Sequence, residues 1–169
     1  MSDNIERIKL ANNKYAKEFG NKSDLEIPPV RRLAVLTCMD ARLEPMKSLG
    51  LELGDAHIIR NAGGRASDDA IRSLVISTTL LGTYEWLVIH HSDCGMETFT
   101  QEGMGKLLKE KLNTAEGEFT NWLSISDRIE SVKNDTEHIR NHPLVSKEIK
   151  ISGYLFNTKT GELQEVITL

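Results

Sequence analysis

Leu33-Ala34-Val35-Leu36-Thr37 runs directly into Cys38-Met39-Asp40-Ala41-Arg42. The first five residues carry no charge and show no alternation of apolar and polar side chains, the pattern of a strand covered on both faces. Strands of that kind belong to parallel sheets. The second five place a thiol, a carboxylate and a guanidinium just past the strand end. Pro45 then opens a short helix that Gly50 closes.

The same alternation of elements repeats downstream. Ala56-His57-Ile58-Ile59 predicts a second strand leading into Arg60-Asn61-Ala62-Gly63-Gly64. Ser67 caps a helix with Asp68 and Asp69 in its first turn and Ile71, Leu74, Val75 and Thr78 facing inward. Glu85 to His90 predicts a third strand, ending in His91-Ser92-Asp93-Cys94-Gly95. A helix is expected over Met104 to Leu112. Another carries Ile125, Ile129, Val132 and Ile139 after a Ser124/Asp127 capping box. Ile151 to Phe156 and Leu163 to Ile167 flank Thr158-Lys159-Thr160-Gly161, a hairpin turn. Short strands alternating with helices predict an α/β fold, with a largely parallel central sheet flanked by helices and an antiparallel strand at one edge.

Ahead of this core, Asp3 to Gly20 places Ile5, Ile8, Tyr15 and Phe19 on one helical stripe, interrupted by Asn12. Asn21 to Pro29 reads as a linker. The expected organisation is one domain over 1–169, with an N-terminal helical arm and linker at 1–29 and the α/β core at 30–169. Two readings of the arm stand equal: it covers its own sheet, or it packs on a second subunit.

Composition narrows the function. The 169 residues fit one domain, and 39% hydrophobic with 27% charged residues is a balance that folds in water. No run approaches the ~18 apolar residues of a membrane span. The opening MSDNIERIKL lacks a signal-peptide core, which predicts a cytoplasmic chain. A net charge of −4 without a basic stripe argues against nucleic acid. Two cysteines cannot build a disulfide scaffold, so the thiols need another use.

Cys38, Gly63/Gly64 and His91/Cys94 each follow a predicted strand, and open parallel sheets gather ligands at the carboxyl ends of their strands. Two thiolates and an imidazole suit zinc, and three protein ligands leave a fourth position open for catalysis. H-x-x-C alone is a weak signal, since two buried free cysteines are ordinary in an intracellular domain. Asp40 and Arg42 are placed to pair, although exposed pairs of that kind are common and contribute little.

C-x-D-x-R, then R-N-A-G-G, then H-x-x-C, in that order, resembles the β-class carbonic anhydrases. The length resembles their short prokaryotic-type branch, which also includes carbonyl sulfide and carbon disulfide hydrolases. The resemblance implies one zinc per chain on Cys38, His91 and Cys94, with Asp40 and Arg42 as a catalytic dyad. It places Gly63 and Gly64 in the wall of the substrate site. It also implies a parallel sheet with an antiparallel edge and a homodimer as the smallest unit. The expected activity is reversible hydration of carbon dioxide to bicarbonate by zinc-held hydroxide. The alternatives are hydrolysis of carbonyl sulfide or carbon disulfide at the same zinc, and a non-catalytic zinc module closed by Asp40. The Gln, Phe and Tyr that line the pocket of the longer plant-type branch have no visible counterpart.

The residue chemistry agrees. Two thiolates and a neutral imidazole cancel the zinc charge and acidify water less than three imidazoles do. Asp40 would orient the nucleophile, and Arg42 would keep Asp40 ionised. His90 points to the opposite sheet face from His91 and is expected in packing or behind the ligands. His57 reads as a strand histidine, and Asp93 as a turn residue. His138 and His142 stand four apart, but Pro143 follows, which makes them a solvated helix end.

Overall fold

The computed structural model describes residues 3–112 and 121–169. Five strands, β1 (Leu33–Cys38), β2 (Ala56–Asn61), β3 (Glu85–His91), β4 (Lys150–Phe156) and β5 (Leu163–Thr168), form one sheet in the order β2-β1-β3-β4-β5. β2, β1, β3 and β4 run parallel, and β5 pairs antiparallel with β4 at the edge. The expected fold class is the observed one. Each strand extends one or two residues beyond its apolar run, because backbone pairing continues where the side chains turn polar.

Among the described residues, five α-helices accompany the sheet: α1 (Asp3–Lys17), α2 (Pro45–Ser48), α3 (Asp68–Thr79), α4 (Gln101–Leu112) and α5 (Arg128–Asn141). Ser67 caps α3 by accepting from the Ala70 amide. One buried cluster joins Ala34, Leu36, Trp86, Val88 and Ile151 of the sheet to Ala70, Ile71 and Leu74 of α3 and Ile139 of α5. These sheet residues are alternate positions of their strands, so they share a face. Burial of this cluster, at about 25 cal/mol per Å² of apolar surface, holds the helices to the sheet.

Three boundaries differ from expectation. The N-cap of α5 is Asp127 and not the expected Ser124, because the Asp127 carboxylate accepts from the Glu130 amide at 2.9 Å and Ser124 lies outside the helix. Ile125 therefore does not extend the apolar stripe of α5; it packs in a buried cluster with Cys38, Leu43 and Cys94. α4 begins at Gln101, three residues before Met104. The expected linker also contains a 3₁₀ turn at Gly20–Asp24.

No residue of α1 is buried. Ile5, Ile8, Tyr15 and Phe19 are all exposed, Ile8 at 62%, so the arm does not cover its own sheet. Among the described residues, no helix is long and apolar enough to cross a membrane.

Gly153 on β4 sets how closely α5 approaches. A Cβ there would lie 2.6 Å from both Thr136 Oγ1 and Val132 Cγ1. Gly153→Ala must push the helix away, and overpacking of this kind costs about 1–3 kcal/mol. A correspondingly lower urea midpoint is expected; an unchanged midpoint would show that α5 yields freely.

Candidate metal centre

Parallel pairing aligns Thr37 with Ile89, so Cys38 and His91 emerge at the same sheet edge. The Thr37 hydroxyl donates to the Ile89 carbonyl at 2.9 Å and pins that register. The turn after β3 then brings back Cys94. The donor atoms of Cys38, His91 and Cys94 all lie within 4.8 Å of one another, and all three residues are buried.

Their chemistry fits a zinc-type metal. His91 Nδ1 lies 2.9 Å from the Ser92 carbonyl, which assigns the ring proton to Nδ1 and leaves a lone pair on Nε2. That Nε2 is buried without a hydrogen-bond partner. A buried acceptor of this kind carries a desolvation cost unless something occupies it. The neighbouring Cys94 thiol lowers the Cys38 pKa against the opposing effect of burial. The same contact, together with burial, raises that of Cys94. The lowered Cys38 pKa favours the thiolate form, which is the form that binds a metal.

Two glycines form the adjacent wall. The Gly63 amide donates to Cys38 Sγ at 3.3 Å, with Gly63 at φ +83°. A Cβ on Gly64, at φ +69°, would lie 2.9 Å from Cys38 N and Thr37 C and 3.0 Å from Ile89 O. All three are backbone atoms that cannot swing aside.

Asp40 sits above the cluster, with Oδ2 3.8 Å from His91 Nε2. Arg42 grips it through Nε to Oδ1 at 3.0 Å and Nη2 to Oδ2 at 2.8 Å, and the Arg42 amide adds a bond to Oδ1 at 2.9 Å. These hydrogen bonds hold the Asp40 carboxyl well below the usual carboxylate range. The i, i+2 pair expected from the sequence is therefore formed, in bidentate geometry.

Other residues of the site carry little sequence signal. Asp93 does occupy a turn, at φ +58°, and it also binds Arg42: Nη1 donates to its carboxylate and Nη2 to its carbonyl, both at 2.8 Å. Arg60 braces the loop by donating to the Cys38 carbonyl at 2.9 Å and the Asp40 carbonyl at 2.7 Å. His90 is fully buried behind the ligands, with Nε2 3.2 Å from Asp135 Oδ2. Arg65 binds Asp135 in turn. Burial pushes the Asp135 carboxyl up, but the facing His90 ring and the Arg65 guanidinium outweigh it and bring it to about 2. Asp135 lies among Val132, Thr136 and Ile139 at helical spacing, and an acid on that buried face was its one visible signal. His57 bonds the Ser77 hydroxyl at 2.7 Å, away from the site; His138 is exposed and His142 caps the end of α5.

A mostly parallel α/β sheet with a thiol–imidazole–thiol cluster at its carboxyl edge and a clamped carboxylate above it defines an α/β domain with the donors to hold a metal ion. Residues 33–163 match the family model described as carbonic anhydrase. The chain is 42% identical over 160 residues to "Beta-carbonic anhydrase 1" of Mycobacterium tuberculosis, covering 93% of this chain and 94% of that protein. It is 39% identical over 161 residues to a carbon disulfide hydrolase of an Acidianus strain, covering 82% and 79% respectively. The crystal structure of carbonic anhydrase from Streptococcus mutans superposes with a TM-score of 0.91 at 42% identity, over 99% of both chains. The chain belongs to the β-carbonic anhydrase family.

Gly64→Ala combines a left-handed φ with three backbone collisions. A loss of about 2–4 kcal/mol is expected in urea unfolding. A loss below about 0.5 kcal/mol would mean the β1–β3 edge can open without cost.

Proposed function

We propose that this chain catalyses the reversible hydration of carbon dioxide to bicarbonate, with Cys38, His91 and Cys94 holding one zinc and Asp40 and Arg42 acting as the dyad. The observation that carries the reading is the Asp40 carboxylate, locked by Arg42 at both oxygens and standing 3.8 Å from the free His91 Nε2. Zinc held by Cys38, His91 and Cys94 would supply Lewis acidity, bringing the ionisation of water toward neutral pH. Asp40, kept ionised by Arg42, accepts a hydrogen bond from the attacking water and aims its lone pair at the substrate carbon. Gly63 and Gly64 let the backbone pack directly against Cys38, where the Gly63 amide donates to Sγ. Bicarbonate departs, and the proton released from the water goes to solvent.

The second reading keeps the residues and changes the substrate: carbon disulfide or carbonyl sulfide presents a similar linear electrophilic carbon. It is supported by similarity to carbon disulfide hydrolases. A closed, non-catalytic module is less well supported, because an Asp40 that turned onto the metal would have to leave Arg42.

The zinc-loaded chain should form bicarbonate from carbon dioxide at least tenfold more efficiently, in kcat/KM, than it releases hydrogen sulfide from carbonyl sulfide or carbon disulfide. The reverse ratio would establish the second reading, and absence of both activities would defeat an enzyme role. Cys94→Ser should lose most of the zinc; full occupancy would remove Cys94 from the ligand set. Asp40→Asn should keep the zinc and lose turnover on the order of 10²-fold, whereas wild-type turnover would take Asp40 out of the mechanism.

The exposed stripe of α1 supports a homodimer in which the arm packs on the partner. A chain lacking residues 1–20 should sediment as a monomer with reduced turnover. A folded, fully active dimer without those residues would return the arm to a local role.

A further inference from the structure

Asp135 is 5% exposed and lies on α5, outside the cluster of donor atoms. Its carboxylate takes three bonds from the segment that follows the glycine wall: Arg65 Nε at 2.7 Å, Arg65 Nη2 at 3.0 Å and the Ala66 amide at 3.0 Å. Arg65, itself 9% exposed, sends its remaining nitrogen, Nη1, to the carbonyls of Leu123 and of Ser124, the latter at 3.2 Å. Leu123 is held at φ +52°, a conformation that a bulky residue keeps only when its surroundings enforce it. The next residue, Ile125, donates its amide to the Met96 carbonyl at 2.9 Å and packs with Cys38 and Cys94.

A buried ion pair contributes little net stability, because desolvation of both charges offsets their attraction. What this one supplies is position. Arg65 immediately follows Gly64 and lies two residues from Gly63, whose amide donates to Cys38 Sγ. The carboxylate thus anchors the wall on one side of the cysteines, and through Arg65 the strap on the other.

Resting on the metal-centre reading above, we propose that Asp135 is a positioning residue: through Arg65 and the Ala66 amide it holds the Ala62–Gly64 wall against Cys38 and the Leu123–Ile125 strap over both cysteines. Hydrogen bonds to a metal ligand from such outer residues commonly govern affinity and ligand electronics by 10–100-fold. The competing role is a plain staple of α5 to the sheet, which would affect stability alone.

Two full-length variants separate these roles. Arg65→Gln/Asp135→Asn removes both charges and leaves no buried ion unpaired. Arg65→Lys keeps both charges but gives up the planar fork. In the metal-free chain, amide exchange at Gly63 should be at least tenfold faster in either variant than in the wild type. After cobalt loading, affinity should fall about 10–100-fold, with a shift in the sulfur-to-cobalt charge-transfer band. A lower melting temperature with wild-type Gly63 exchange and an unchanged cobalt spectrum would overturn the proposal. If the double variant does not fold, Arg65→Lys gives the same decision. If the wild type itself takes no cobalt, the metal-centre reading fails, while Gly63 exchange still decides whether Asp135 positions the wall.

Discussion

Parallel pairing of β1 with β3 is the constraint from which the site follows. Residues 38 and 91 are 53 positions apart in sequence, yet aligning Thr37 with Ile89 sends both chains out of the sheet side by side. Antiparallel pairing would have put them at opposite ends. The register is held by the ladder, by the Thr37 hydroxyl bond to Ile89, and by Gly64, which packs against the backbone of both strands with no space for a side chain. A slip of one residue would turn every side chain of the strand to the other face and separate the donor atoms.

On that frame the charged residues act by geometry more than by energy. Arg42 is half exposed, and ion pairs at such places add little to stability. Its contribution is directional. Five hydrogen bonds from its guanidinium and amide fix Asp40 on one side and Asp93 on the other, and the Asp40 oxygen nearest His91 has a single orientation. Arg60 performs a similar task from below through the Cys38 and Asp40 carbonyls, so the loop between strand and dyad is held from two directions.

Much of this was legible in the sequence, for a physical reason. Uncharged runs specify buried parallel strands, and such strands deliver whatever follows them to one edge, so the sequence alone brings Cys38, His91 and Cys94 together. The Asp40–Arg42 pair was legible because its partners are two residues apart. Contacts spanning long stretches of chain were not: Arg42 with Asp93 and Arg65 with Asp135 leave no local periodicity. Ile125 was misassigned because its spacing to Ile129 and Val132 suits a helix equally well. Only the position of the Asp127 cap shows that Ile125 precedes the helix, where it packs on the cysteines. The N-terminal stripe was legible as a stripe, and its side chains stand exposed in the structure.

The most direct test of the account is X-ray absorption at the zinc edge of the metal-loaded chain. Two sulfur scatterers at about 2.3 Å and two lighter ones at about 2.0–2.1 Å are predicted, as for a tetrahedral site with Cys38, Cys94, His91 and one exchangeable position. Replacing Cys94 by Ser should reduce the sulfur count to one. A zinc shell with no sulfur, or with the same sulfur count in wild type and Cys94→Ser, would contradict the donor set on which the mechanism depends.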